Sequence, residues 1–192
     1  MSYVTYTTEA LVCGAFDRNT ADRTYLLYTR GAGMIYAEAK SVREERSKQR
    51  YALQEFSHIR VSLVSGKQTW KIGSVEVVVN DYARAVSREA RGSVARLYKT
   101  LRRFIRGEEA SPELFDFVIE ALAVLAGEVP CRSFVESGVE VRLLAYLGYV
   151  DPARIPTALQ ERSVAAFATA QSEENLALCT ELLAEATLNS QL

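Results

Sequence analysis

The sequence predicts an α+β protein, all-β first and all-α after, from a change of period and a change of charge. Up to about residue 80 the apolar residues come in short β-branched and aromatic runs with a period near two; beyond it they recur every three or four positions. Residues 1–106 hold 19 Lys and Arg against 10 Asp and Glu, whereas residues 107–192 hold 4 against 14. Two domains are therefore expected, 1–80 and 81–192, the first suited by its positive surplus to a polyanionic partner. At 192 residues, 48% of them hydrophobic, the chain can bury roughly 70% of its unfolded surface.

Five runs read as strands, in order "TEALVCGAF", "RTYLLYT", "GMIYAEA", "EFSHIRVSLVS" and "QTWKIGSVEVVV", with turn signals in "RGAG" at 30–33 and "SGKQ" at 65–68. Five short strands favour a closed barrel, because closure removes exposed edges, and the OB-fold is the common five-stranded form that also binds oligonucleotides. Between the third and fourth strands lies "KSVREERSKQR", Lys40 to Arg50, with five basic residues, two acidic and one aliphatic. Glu44 and Glu45 are placed to pair with Arg46 or Lys48. Arg23, Arg30 and Arg60 are near in sequence, and Tyr25, Tyr28, Tyr36, Tyr51 and Trp70 supply rings. Single-strand binders combine a positive groove with such aromatic platforms. Strand alternation puts Tyr25 and Tyr28 on opposite faces, so at least one of them is expected in the core.

In "RAVSREARGSVARLYKTLRRFI", Val86, Ala90, Val94, Leu97, Leu101 and Ile105 fall on one side of a helix; Arg84, Arg88, Arg91, Lys99, Arg102 and Arg106 cluster on the other. The apolar side is expected to dock on the helices that follow and the basic side to extend the positive surface of the loop. "SPELFDFVIEALAVLAG" reads as a buried central helix with Ser111 as N-cap, Pro112 at its first position and Gly127 as its stop. Helices are expected at about 132–147, 157–170 and 172–188, with "DPARIP" as a turn and Thr157 and Ser172 as caps.

Catalytic signals are sparse. His58 is the single histidine; it sits in a strand pattern and reads as structural, which leaves a Ser-His-Asp or Cys-His arrangement without its base. Asp17, Asp22 and Asp81 lie in turn-like segments where Asp is favoured for backbone reasons. Nothing matches a phosphate-binding glycine loop, a dinucleotide fingerprint or zinc spacing. Cys13, Cys131 and Cys179 are too dispersed for a disulfide framework or metal pair and read as buried or incidental thiols. The chain therefore reads as a binding protein rather than an enzyme. No apolar run reaches about 18 residues, and "MSYVTYTTEALVCG" lacks the basic-then-apolar order of a secretion signal, so no membrane partner and a cytoplasmic location are expected.

The run "ALVCGAFDRNTADRTYLLYTRGAGMIYAEAKSVREERSKQRYALQEFSHIRVSLV" resembles the amino-terminal domain of the RecO family of recombination mediators over about residues 7–80: a strand, an "ADR" turn, a strand ending "TR", a further strand, a basic loop and an "AL.PFS"-like segment. "VEVRLLAYLGYVDP" at 139–152 is similar to a helix end in that family's helical domain. The resemblance implies an OB-fold followed by helices, binding of single- and double-stranded DNA at the nucleoid, annealing, and loading of recombinase onto DNA coated by single-strand-binding protein, with a RecR-type partner. Carried over by position, Lys40, Arg43, Arg46, Lys48 and Arg50 contact DNA, with Arg23 beside them. Many relatives place a zinc-binding cysteine cluster soon after "LGY"; "VDPARIPTALQERS" has none, so no metal or other cofactor is expected. The helical domain is also short and acidic. The alternative is a general single-stranded DNA or RNA module with a helical dimerisation or adaptor domain, because no feature addresses the 2′-hydroxyl.

Overall fold

Alternation decides the first half of the computed structural model, which describes residues 5–66, 69–160 and 163–189. Strands β1 (Thr5–Asp17), β2 (Arg23–Thr29), β3 (Gly33–Ala39), β4 (Ser57–Ser65) and β5 (Trp70–Asn80) send every second side chain inward. Ala10, Val12, Tyr25, Leu27, Ile35, Ala37, Ile59, Val61 and Leu63 form the core, joined by Val42 and Leu53 from the β3–β4 connection. Each fully buried Val, Leu or Ile here contributes about 1.5–3 kcal/mol.

β1 is long enough for two partners: Thr5 to Leu11 pair with β4, and Ala10 to Asp17 pair with β2, with a bulge between Val12 and Gly14. β5 runs antiparallel to β4 and closes the barrel against β3 through a short parallel ladder, Ala37 opposite Trp70 and Glu38 opposite Lys71. The closed order β1-β2-β3-β5-β4 is that of the expected OB-fold. β4 starts two residues later than its apolar run because Phe56 takes a left-handed φ of 68°. Lys67 and Gln68 of the expected turn lie outside the described residues.

The chain divides into two compact units, Met1–Arg84 with Ile105–Phe115, and Ala85–Phe104 with Asp116–Leu192. In the first unit Ile105–Phe115 lies against the barrel wall. The Met34 N–H donates to the Gly107 carbonyl at 2.9 Å, and the Phe115 ring lies 5.4 Å from that of Tyr28. Gly33 (φ +64°) has no room for a side chain: a Cβ would stand 2.6 Å from the Glu109 carbonyl oxygen.

The second unit is helical. α3 (Arg88–Phe104) follows the one-turn helices α1 (Gln49–Ala52) and α2 (Asp81–Arg84) of the first unit. Ser87 Oγ caps α3 by accepting from the Ala90 N–H at 3.1 Å, and Ala90, Val94, Leu97, Tyr98, Leu101 and Phe104 are buried. Val86, expected on that apolar side, precedes the helix and is 57% exposed. Ile105 lies past the helix end and belongs to the barrel unit.

α4 (Pro112–Leu125) starts as expected, Ser111 Oγ accepting from the Leu114 N–H. α5 (Arg132–Tyr146) and α7 (Glu173–Asn189) fall where the period placed them, and Ser172 Oγ accepts from Asn175 N–H at the start of α7. The helix expected at 157–170 is instead α6 (Thr157–Gln160) and a 3-10 segment, Val164–Ala170. Ser163 is extended, and the Val164 N–H turns to the Glu120 carboxylate at 2.7 Å, so the α-helical ladder is not continued there. Thr157 is the first helical residue, not a cap, with the Pro156 carbonyl taking the Leu159 N–H.

Candidate nucleic-acid interface

The loop after β3 is fastened at its start. Ser41 takes a left-handed φ of 51° and donates its N–H to Asp22 Oδ1 at 2.8 Å. Asp22 is itself held in the β1–β2 turn, where Asn19 Nδ2 donates to Oδ2 and Asn19 Oδ1 accepts the N–H groups of Ala21 and Asp22. These donors lower the Asp22 pKa, the Ser41 N–H foremost. Val42, the one aliphatic of the loop, is buried in the barrel core. Arg43 donates to the Asn19 carbonyl at 2.8 Å and stands 3.6 Å from Asp17.

Beyond Arg43 the chain turns, with the Ser47 N–H on the Glu44 carbonyl, and enters α1. Gln49 reaches the Gly73 carbonyl of β5. Arg50 bonds the Tyr51 hydroxyl at 2.7 Å, its guanidinium 4.7 Å from that ring's centre. Lys40, Arg46 and Lys48 are exposed and have no carboxylate within ion-pair distance among the described residues. The local pairing of Glu44 or Glu45 with Arg46 or Lys48 is not formed among them. Three of the five loop cations therefore face solvent outside ion-pair distance, Lys40 near enough to Asp22 to help lower its pKa, and two are engaged.

Arg23 opens β2 and bonds Asp17 at 2.7 Å. That bond holds the Asp17 carboxyl below the usual carboxylate range and raises the pKa of Arg23. Burial pushes the Tyr25 phenol up, with Arg23 opposing. Arg30, Arg60 and Glu9 line a cleft of about 560 Å³. Arg60 stands 3.9 Å from both Glu9 and Glu76.

Of the other cations singled out in the sequence, Arg84 bonds the buried Asp81 carboxylate at 2.6 Å. Arg84 and Arg106 fall in the barrel unit, whereas Arg88, Arg91, Lys99 and Arg102 are exposed along α3 in the helical unit. Four side chains that the sequence did not single out, Ser93, Arg96, Arg132 and Glu136, organise the inner side of α3. Glu136 accepts from Ser93 Oγ and from Arg96 at 2.7 Å, while Arg132 donates to Ser93 and to the carbonyls of Leu125 and Gly127. They fasten α3 to α5, so Arg96 is a structural cation.

The core takes Tyr25, as the alternation of β2 allowed. Tyr25 and Tyr28 are both buried, at 1% exposure, since β2 is covered on its outer face by Phe115 as well as by the core. Trp70 is half-buried and donates to Glu108. Tyr36 and Tyr51 are exposed, and so is Phe16, whose ring lies 6.2 Å from that of Tyr36. Phe16 escaped the sequence reading because it ends an apolar run whose other members are core. His58 packs against Phe115 and lies 3.5 Å from Glu9, a structural setting. Cys13 and Cys179 are buried, and Cys131 is exposed at the start of α5. No helix among the described residues is long and apolar enough to cross a membrane.

Comparison with known proteins agrees with this barrel. The family model for the recombination protein O N terminal domain matches residues 1–80. The chain is 29% identical over 147 residues to the DNA repair protein RecO of Pelotomaculum thermopropionicum, covering 75% of this chain and 56% of that protein. It is 28% identical over 147 residues to the DNA repair protein RecO of Desulforudis audaxviator, covering 75% of this chain and 57% of that one. The chain thus spans just over half the length of the curated relatives it matches. Residues 1–80, whose described part is a closed five-stranded barrel carrying a basic β3–β4 loop, match the model of the RecO amino-terminal domain.

Proposed function

We propose that the chain is a DNA-binding recombination mediator. It holds single and double strands through their phosphates, anneals complementary strands, and helps recombinase onto DNA coated by single-strand-binding protein, acting with a RecR-type partner and without catalysing a covalent step. The observation that carries this reading is the fastened loop: Asp22 and Val42 fix its start, so that Lys40, Arg46 and Lys48 stand unpaired on a RecO-type barrel. Unpaired cations on a fixed frame suit phosphate contacts, which give affinity and register but little sequence choice.

Annealing of complementary labelled strands, naked and coated with single-strand-binding protein, tests the reading. The full chain is expected to accelerate both, and binding to fall steeply with salt. A flat salt response, or no binding at low salt, would contradict it.

A further inference from the structure

Asp17 and Asp22 flank the β1–β2 turn but hold different things. Asp22 takes the Ser41 N–H and so fixes backbone. Asp17 takes side chains alone: Arg23 Nε donates to its Oδ1 at 2.7 Å, and Arg43 Nη1 stands 3.6 Å from its Oδ2. Among the described residues its carboxylate has no hydrogen bond or ion pair to any other residue. Two cations that the sequence assigned to DNA thus share one carboxylate, an oxygen to each.

Neither guanidinium depends on that carboxylate for its place. Arg23 stands opposite Asp17 in the β1–β2 ladder and is also hydrogen-bonded to the side chain of Tyr25, a core residue. Arg43 donates Nη1 to the Asn19 carbonyl at 2.8 Å and its backbone N–H to the Ala21 carbonyl at 3.1 Å. The side chains of Asp17, Arg23 and Arg43 are 55%, 40% and 38% exposed, so water and salt reach all three. Ion pairs so exposed add little to stability. A carboxylate between two guanidiniums nevertheless supplies the charge and the acceptor oxygens that a phosphate would bring.

We propose that Arg23 and Arg43 form a latent phosphate seat that Asp17 masks, so that this one carboxylate limits how tightly the barrel grips a strand. This rests on the reading that the neighbouring loop holds DNA phosphate. The frame does not need the charge, because an asparagine at position 17 keeps an acceptor for Arg23 Nε. Without the charge, two tethered cations are left side by side, and a phosphate relieves their mutual repulsion. Lys40, Arg46 and Lys48 have no such internal counter-ion within ion-pair distance and meet phosphate directly.

The test measures oligo-dT binding by the full chain over a range of salt, for wild type and Asp17→Asn. The variant is expected to bind about threefold or more tightly at low salt, with a salt slope steeper by about 1.4, two further phosphate contacts at about 0.7 each. Arg23→Gln with Arg43→Gln should cost more affinity, and flatten the slope more, in the Asp17→Asn background than in the wild-type one. Should Asp17→Asn fail to fold by circular dichroism, Asp17→Ser removes the same charge at this exposed position and should show the same gain. A folded variant with wild-type affinity and slope would overturn the masked seat and leave the loop reading standing. Weaker binding by a folded Asp17→Asn would show that the carboxylate positions the loop instead of masking cations, and would sink the proposal. So would a gain that survives in the triple variant Asp17→Asn, Arg23→Gln, Arg43→Gln, since it would come from net charge alone. Binding by neither wild type nor variant at low salt would overturn the phosphate reading and the seat together.

Discussion

Asp22 shapes the basic loop without carrying positive charge. Its carboxylate accepts the Ser41 N–H and the Asn19 amide, which stabilise the ionised form and lower its pKa. The folded value therefore lies below the unfolded value of about 3.9. Asp22 stabilises the fold above the unfolded value, and that contribution is lost as the pH falls through the folded one. Asp17, lowered by Arg23, acts with the same sign. Thermal melting between pH 2.5 and 6 should show stability falling at the acid end, and Asp22→Asn should flatten that limb while lowering stability at pH 6. That Asp22 serves the backbone was legible from the sequence, since Asp in a turn accepts backbone N–H groups; Asp17, read the same way, instead takes the Arg23 side chain. The identity of the acceptor's partner, Ser41, 19 residues on, was not, because it depends on how β2 and β3 pair.

Strands were the most legible elements. A period of two under one buried face fixes both existence and register, and all five runs became strands within a few residues. That Tyr28 is buried as well as Tyr25 comes from Phe115, far along the chain, which no alternation within β2 encodes. The single helix expected over 157–170 is not what forms, because apolar alanine-rich sequence does not distinguish an α-helix from α6 and the later 3-10 turns. On α3 the period separated core from surface but not structural cations from free ones: Arg96 has a carboxylate in Glu136, whereas Arg88, Arg91, Lys99 and Arg102 stand exposed. Reversing Arg88, Arg91 and Lys99 to Glu should leave the melting temperature within a few degrees of wild type and weaken DNA binding if α3 belongs to the interface. Arg132→Ala, by contrast, takes a donor from the Leu125 and Gly127 carbonyls and should cost about 1–3 kcal/mol in urea unfolding. Stability loss from the triple reversal with unchanged affinity would assign those cations to the fold instead.

Across the whole molecule, charge is divided as sharply as structure. The first 106 residues carry a surplus of nine positive charges and the remainder a deficit of ten, and within the positive part the fold has already committed Arg23, Arg43, Arg84 and Arg96 to partners of their own. The loop cations left over are the ones free to meet phosphate. Each phosphate contact on a single strand contributes a salt slope of about −0.7, so neutralising all five of Lys40, Arg43, Arg46, Lys48 and Arg50 could flatten the slope by at most about 3.5. Because Arg43 and Arg50 are engaged within the protein, Lys40→Ala, Arg46→Ala and Lys48→Ala together should account for most of the change, about 2. The decisive measurement is the salt dependence of oligo-dT binding by the full chain and this triple variant. A slope shallower by about 2, an unchanged melting temperature and slower annealing are expected of the variant. A triple variant that folds normally and binds with the wild-type slope would contradict the phosphate reading of the loop.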